Sequence, residues 1–407
     1  MKIAIVVETF ARDMGYVNNT LPKYIARAGE EVHVITTDLA PYHHIGSAKS
    51  IFGDLFATRN LNQAGSCQQI GGYTVHTLPH RKLLGYQQPV GLEDMLRDIR
   101  PDLVCTFQAA GWIPLQCARF RTRLGYRLVI GSHMGKTVFQ MSYSWLSLKR
   151  LRSFLLRTIP GWYVASQADH CVVPTEDCAE VVSAHFGIPA DMVRVMNLPV
   201  DTDFFYPKTV LPHPSQIGRC LRGQLRKKLG IRDEDFLCVY SGKFGLEKNA
   251  FVLAQAVDRL REQGHAVRAL FIGAGEQEAL IRSSPSAVVI PFMPISQLGD
   301  YYRASDIGVW MNESISFLDG ACCGLPLLLS DVVKDISHLR EFSRIYRAND
   351  PDSLAAHIKV AMDPVTHSQQ SALAAELGEL RFSGVRYAEK RLEQFRQALA
   401  PHAAGHT

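Results

Sequence analysis

Short, nearly unbroken apolar runs recur along the chain, separated by stretches in which apolar positions return at helical spacing. The first series is KIAIVV, EVHVITT, YTVHTLP, DLVCTFQ, RLVIGSH and HCVVPT. Runs of this kind suit strands covered on both faces, and their alternation with helical patterns is the rhythm of a parallel, doubly wound sheet. A second series, FLCVYSG, ALFIGAG, AVVIPF, IGVWMN and LPLLLS, follows the proline-studded stretch YPKTVLPHPS that starts at Tyr206. The pattern predicts two open α/β domains, residues 1–205 and 206–384, with a hinge near residues 204–215. Residues 385–407, with the amphipathic RYAEKRLEQFRQALA, are expected to pack back toward the N-terminal domain. Open α/β sheets bind ligands beyond the carboxyl ends of their strands, so the expected site is the cleft between the domains.

Composition narrows the function classes. A chain of 407 residues, 47% of them apolar, has room for two cores and is neither disordered nor fibrous. The apolar run in MKIAIVVETF is too short for a secretory segment and no later run approaches a membrane span, so a cytoplasmic location is expected. Nine cysteines without a C-x-x-C pair, mostly inside apolar runs, read as reduced core thiols. A formal charge of +5 is too mild to imply nucleic acid, and it suits anionic small molecules or an anionic membrane surface.

Three loops carry candidate chemistry. In YSGKFGLEKN, Gly242 lets the backbone approach a ligand, and Lys243 and Lys248 lie across a tight turn from which both can converge on a diphosphate. In FIGAGEQEAL, Gly273 and Gly275 either open a helix toward phosphate or permit close packing. In NESISFLDGACCGLPLLLSD, Asp319 precedes a G-x-P turn at a helix opening, where a carboxylate is ordinarily a cap or a macrodipole partner.

The order of VYSGKFGLEKN, FIGAGEQ, LGDYYRASDIGVW and LDGACCGLPLLLSD resembles the C-terminal domain of the retaining glycosyltransferases of family 4. VRVMNLPVDTDFFYP resembles that family's connecting segment, and GEEVHVIT and VIGSHMG its N-terminal strands, so the likeness covers nearly the whole chain. It implies the GT-B fold, two Rossmann-like domains facing a central cleft. It also implies that Lys243 and Lys248 hold the donor diphosphate and offset the charge that grows on the leaving group. Asp319 stands where the family more often has the glutamate that grips the donor ribose. The family's other carboxylate falls at Met311, so Glu313 aligns only with a gap and reads either as a sugar ligand or as a solvated loop residue. Ser314, Ile315 and Ser316 replace the glycine-phenylalanine-glycine whose backbone amides approach the donor. His133, at a strand tip, matches the residue that touches donor phosphate and sugar; Lys136 either assists or faces water. Gly15 stands where the family usually has a glycine pair.

The resemblance implies a retaining, metal-independent transfer of a sugar from a nucleotide diphosphate sugar to an acceptor hydroxyl, with no cofactor beyond the donor. The rivals are a non-catalytic sugar-nucleotide binder and an epimerase or hydrolase of the same fold. Asp201 and Asp203 form a D-x-D, the metal signature of the other main glycosyltransferase fold, but at the interdomain connection capping and turn formation explain it better. Two basic clusters remain. One holds Arg119, Arg121, Arg123 and Arg127; the other, across residues 145–163, interleaves Trp145, Leu148, Leu151, Phe154 and Leu155 with Lys149, Arg150, Arg152 and Arg157. The second is either an interfacial helix on the inner face of an anionic membrane, with a lipid or lipid-linked acceptor, or an amphipathic helix with its basic face in water.

Overall fold

The computed structural model describes residues 1–12, 14–41, 63–136, 148–207, 217–334 and 337–400, with the backbone alone at 148–150 and 217–220. Its first sheet contains β1 (Lys2–Val6), β2 (Glu31–Thr37), β3 (Cys67–Ile70), β4 (Tyr73–Leu78), β7 (Leu103–Thr106), β8 (Arg127–Gly131), β9 (His170–Val173) and β10 (Val193–Val195). Their order is β10-β9-β8-β7-β1-β2-β4-β3. All neighbours are parallel except β3 with β4. A separate hairpin joins β5 (His80–Leu83) to β6 (Tyr86–Pro89). The second sheet, β11 (Phe236–Ser241), β12 (Val267–Ile272), β13 (Ala287–Ile290), β14 (Ile307–Trp310), β15 (Leu327–Ser330) and β16 (Ser343–Tyr346), is parallel throughout in the order β13-β12-β11-β14-β15-β16.

The unbroken apolar runs follow from burial on both faces. In β1, Ile3 and Ile5 enter one core while Ala4 and Val6 enter the other, so each position of the strand is committed to a layer of helices. Strand order reverses between β1 and β7 in the first sheet and between β11 and β14 in the second. Loops leaving adjacent strands diverge to opposite faces there, opening the crevice in which such folds bind ligands.

Two chain crossings couple the halves. Val200 pairs with Ser383, its N–H donating to Phe382 O at 2.8 Å while Gly384 N–H donates to Val200 O at 2.8 Å. The helix Gly384–Leu399 then packs Tyr387, Ala388, Leu392, Phe395 and Ala398 into the N-terminal core. The D-x-D lies at this crossing and serves as a clamp. Lys23 Nζ, from the helix Val17–Arg27, donates to both oxygens of Asp201 at 2.7 Å and pairs with Asp203 at 2.7 Å. Arg27 forks onto Asp203 at 2.8 and 2.6 Å, holding that carboxyl down at a pKa of about 2. The turn reading is also realised, since Phe204 and Phe205 N–H both donate to Asp201 O. The expected hinge falls partly on residues 208–216, outside the described residues.

Candidate active site

The lysine loop leaves β11. Gly242 has φ +148° and its N–H donates to Ile272 O at 3.0 Å; a Cβ built on Gly273 would lie 2.0 Å from Gly242 O. Gly273 and Gly275 are therefore used for close packing, holding the Gly242–Phe244 turn against the end of β12. Lys243 and Lys248 project from this fixed turn. Lys248 Nζ donates to Glu313 O at 2.9 Å, which ties the loop after β11 to the loop after β14, its neighbour at the switch point. Burial pulls the Lys248 ammonium below its ordinary pKa, opposed by Glu247 and Glu313 and assisted by the like charge of Lys243.

The loop after β14 is built around Trp310. Its Nε1 donates to Ser316 Oγ at 3.0 Å and to Ser241 O at 3.3 Å; Ser316 Oγ also donates to Ser241 O at 3.2 Å and lies 2.6 Å from Ser314 Oγ. Ser316 N–H is taken by Ser314 Oγ at 3.3 Å, so this amide is committed within the loop. Met311, at the position of the family's second carboxylate, is buried in the C-terminal core. Glu313 is exposed. Its charge reaches the N-terminal domain, where burial raises the Cys178 thiol and the carboxylates of Asp177 and Glu313 add to the rise.

Asp319 lies in the helix Ser316–Cys322 but caps nothing: Ile315 occupies the N-cap and provides no side-chain bond. The cap reading is thus overturned, whereas the macrodipole reading fits, since Asp319 is the acidic residue of the first turn. The helix is wedged between two close approaches, where a Cβ on Gly320 would meet Trp310 at 2.9 Å and one on Gly378, from the helix Pro364–Phe382, would meet the Ala321 backbone at 2.8 Å. Only glycines fit at these two close approaches. The residue is 7% exposed, and its carboxyl accepts no hydrogen bond among the described residues. Burial raises its pKa well above the usual range, with the nearby Asp201 charge adding to the effect.

Across the cleft a cavity of about 600 Å³ opens at the switch point of the first sheet. Gly15 after β1, Gln108 after β7 and His133 after β8 line it from the N-terminal domain, and Ile315 from the C-terminal domain. A Cβ on Gly15 would stand 3.4 Å from Ile295 Cγ2, so the two domains approach closely here. The His133 ring stacks on Phe107 at 6.0 Å and the residue is exposed to solvent. Desolvation by the surrounding protein lowers its pKa and the buried Arg391 acts in the same direction, while solvent at the exposed ring screens both effects. The ring is neutral at physiological pH. The Lys136 ammonium pairs with Glu180, so its charge is already matched, and its backbone N–H donates to Asp177 at 2.7 Å.

The residues singled out in the sequence thus form three groups. Gly15, His133 and Ile315 share the cavity; Gly242, Lys243, Lys248 and Glu313 form the lysine corner; Ser314, Ser316 and Asp319 belong to the β14 loop and its helix, outside the cavity wall. Sequence reasoning missed the cavity wall supplied by Tyr86, Gln87 and Trp112, whose polar and aromatic types looked like ordinary surface, and it read Arg157 only as part of the basic stretch 145–163. Among the described residues no group of three or more His, Cys, Asp or Glu is placed to hold a metal ion. Of the first basic cluster, Arg121 and Arg127 pair with Asp169, and Arg123 with Glu93.

Comparisons with known proteins agree with this architecture. Residues 15–204 match the family described as Glycosyltransferase Family 4, and residues 235–363 match Glycosyl transferases group 1. A D-inositol 3-phosphate glycosyltransferase of Xylanimonas cellulosilytica is 29% identical over 191 residues, covering 43% of this chain and 44% of that protein. A second, from Nocardiopsis dassonvillei, is 24% identical over 259 residues, 58% of each chain. The matched region thus spans about half the length of these curated relatives. Among solved structures, the Anabaena protein HepE in complex with UDP and glucose superposes with a TM-score of 0.66 at 13% identity, over 97% of this chain and 99% of its own. Sucrose-phosphate synthase from Thermosynechococcus elongatus reaches 0.67 at 14% identity, over 98% of both chains. The chain belongs to the family 4 and group 1 glycosyltransferases and has their GT-B fold.

Proposed function

We propose that the protein is a retaining glycosyltransferase that moves a sugar from a nucleoside diphosphate sugar to an acceptor hydroxyl without a metal ion. The observation that carries this reading is the pairing of Lys243 and Lys248 on one rigid turn, with Lys248 anchored to the neighbouring loop at the switch point. Two neighbouring cations, one of them anchored, suit a diphosphate whose charge grows as it leaves, and stabilise it most in the transition state. The bond between the anomeric carbon and the diphosphate oxygen breaks, the acceptor oxygen bonds to that carbon on the same face, and the acceptor proton passes to the departing diphosphate. Asp319 accepts the ribose hydroxyls, and His133, neutral, lies beside the reacting sugar. Neither Lys243 nor Lys248 has a carboxylate ion pair among the described residues, which supports an incoming anion as their partner.

The acceptor enters from the N-terminal cavity. Beside it, the helical stretch 148–167 exposes Leu151, Phe154, Leu155, Ile159, Trp162 and Tyr163, which supports an interfacial role against anionic lipid. Among the described residues no helix is long and apolar enough to cross a membrane. Trp145 lies outside the described residues, as do the side chains of Leu148, Lys149 and Arg150.

A thermal-shift screen of nucleoside diphosphates, UDP included, identifies the donor base, because a ligand of the folded form raises Tm in proportion to its affinity. With the matching sugar nucleotide, transfer requires nucleoside diphosphate release that depends on added acceptor. Tight binding without such release would mean a binding protein, and acceptor-independent release a hydrolase.

A further inference from the structure

A strained turn stands on the rim of the cavity. The hairpin of β5 and β6 closes on Leu84 and Gly85, which have φ +53° and +84°. A two-residue turn with both φ values positive ordinarily takes asparagine or aspartate before the glycine, because their short polar side chains tolerate the left-handed region and a leucine does not. Leu84 is also 56% exposed, so no burial in the fold offsets the strain. Strain kept without packing points to a role outside the fold. The surface around this tip is apolar and basic. Arg152 Nη2 donates to Leu84 O at 2.9 Å and Trp112 Nε1 to Leu83 O at 3.1 Å, which tie the tip to the helical stretch 148–167 and to the helix Trp112–Leu124. The stretch exposes Leu151, Phe154, Leu155, Ile159, Trp162 and Tyr163, with the Phe154 and Trp162 rings edge to face at 5.6 Å. Arg81 and Lys82 on the hairpin and Arg152 on the stretch are exposed, and none of them has a carboxylate ion pair among the described residues. This is unlike Arg121, Arg123 and Arg127, each of which has an acidic partner. Behind the tip, Gly85, Tyr86, Gln87 and Arg157 line the cavity, so the apolar and basic surface borders it.

We propose that the tip of the β5–β6 hairpin is a lipid-insertion element: Leu84 enters an anionic bilayer, Arg81, Lys82 and Arg152 meet its headgroups, and the cavity is held at the lipid surface. Charge selects this occupant, since an apolar tip among cations without acidic partners complements a surface that is apolar within and anionic outside. The proposal rests on the interfacial reading of the neighbouring helix and adds a second element to it. One helix lying on a bilayer leaves the protein free to roll about the helix axis. A second contact at the hairpin removes that freedom and sets which wall of the cavity faces the lipid. Asparagine at position 84 would suit the turn better, so the leucine is kept at a cost in stability that docking offsets.

The test is sedimentation of the full chain, without an affinity tag, with phosphatidylglycerol and phosphatidylcholine vesicles, compared with Leu84→Asn, Lys82→Gln and Trp162→Ala. Melting curves and UDP titration check each variant. Leu84→Asn removes the apolar tip and relaxes the turn, so its Tm is expected to equal or exceed the parent's while affinity for phosphatidylglycerol vesicles falls about tenfold. Lys82→Gln is expected to weaken the same binding and make it less sensitive to salt. UDP affinity stays at the parent value in all three. Insertion is read directly from Leu84→Cys labelled with nitrobenzoxadiazole in a Cys67→Ser background, Cys67 being the exposed cysteine among the described residues. The label should shift to the blue with phosphatidylglycerol vesicles and not with phosphatidylcholine. Vesicle binding that depends on Trp162 but not on Leu84 overturns the proposal and leaves the helix as the docking element. Dependence on Leu84 but not on Trp162 supports the hairpin and removes the helix. If Leu84→Asn changes the sedimentation of the protein alone and not its vesicle binding, the tip is a contact between copies of this chain and the proposal falls. Leu84-dependent docking in a protein that binds no nucleoside diphosphate would overturn the donor reading and leave this one intact.

Discussion

Lys248 Nζ donates a 2.9 Å hydrogen bond to the backbone oxygen of Glu313, so one candidate phosphate ligand also fixes the loop that follows β14. The bond spans the switch point and holds the ammonium in place before any ligand arrives, which lowers the reorganisation that binding requires. Lys243 has no such second role. Replacing either lysine with alanine is expected to weaken nucleoside diphosphate binding and to slow transfer further still, since leaving-group charge is largest in the transition state. The loss should be greater for Lys248→Ala, which also frees the Glu313 loop. Free nucleoside should bind both variants like the parent. Titration of diphosphate and nucleoside into the three proteins decides the matter, and unchanged diphosphate affinity in both variants would place the phosphate site elsewhere.

Asp319 is a buried carboxyl without a donor, and burial keeps its pKa high. Two ribose hydroxyls would stabilise its ionised form, so nucleotide binding is expected to release a proton whenever the pH lies below the free protein's Asp319 pKa. The sign follows from linkage: the bound state holds fewer protons, so affinity rises with pH until that pKa is passed. Asp319→Asn should keep the parent Tm or exceed it, bind nucleoside diphosphate at least about tenfold more weakly, on the order of 1.4 kcal/mol, and lose the preference for ribose over 2′,3′-dideoxyribose. Calorimetry in buffers of different ionisation enthalpy measures the proton count directly. A parent protein that binds ribose and dideoxyribose nucleotides equally would remove Asp319 from the ribose site.

The strands legible in the sequence are those whose apolar runs are buried on both faces, such as β1, β11 and β15. Those that were missed, β3 with CQQI, β5 with HRKL, β6 with YQQP, β10 and β16, are short or largely polar, and their pairing is decided by neighbours rather than by local pattern. The turn after β11 was legible because Gly242 follows the apolar run FLCVYS directly. The role of Gly273 and Gly275 was not, since a G-x-G reads alike whether phosphate or the Gly242 backbone comes close. Nor was the place of Arg157 in the cavity wall, since it depends on the β5–β6 hairpin setting Tyr86 beneath the guanidinium, a contact between residues 71 positions apart in number that no local window contains.

The apolar side chains between Leu151 and Tyr163 are exposed alongside Arg152, whose guanidinium donates to Leu84 O at 2.9 Å. Sedimentation with phosphatidylglycerol vesicles is therefore expected, weakening as salt rises because exposed charges are screened within about 10 Å at 0.1 M. Lys149→Gln, Arg150→Gln and Arg152→Gln together should reduce the anionic component, and Trp162→Ala the apolar one. Equal binding to neutral vesicles, or none, rules out this helix as an electrostatic anchor.

His133 offers a test that needs no substrate. Its ordinary pKa is 6.5 and in the folded protein it falls to about 4, chiefly through burial and then through the Arg391 charge. Arg391 is itself buried on the helix Gly384–Leu399, with Nη2 donating to Cys105 Sγ at 3.0 Å, so the last helix carries a fixed cation into the N-terminal core. Between pH 6.5 and 4 the unfolded chain binds a proton at this ring that the folded chain does not. Stability from the neutral ring is therefore complete above pH 6.5 and erodes as pH falls toward 4. Water on the cavity side screens part of the effect. His133→Gln removes the titration, so the stability difference between parent and variant should shift against the parent when urea midpoints at pH 7 and pH 5 are compared. A proton NMR titration of the ring should place its midpoint well below 6.5, and Arg391→Met should raise that midpoint. A ring that titrates near 6.5 in the folded protein, with a pH-independent stability difference, would show that His133 is solvated from the cavity and carries a proton in the acidic range.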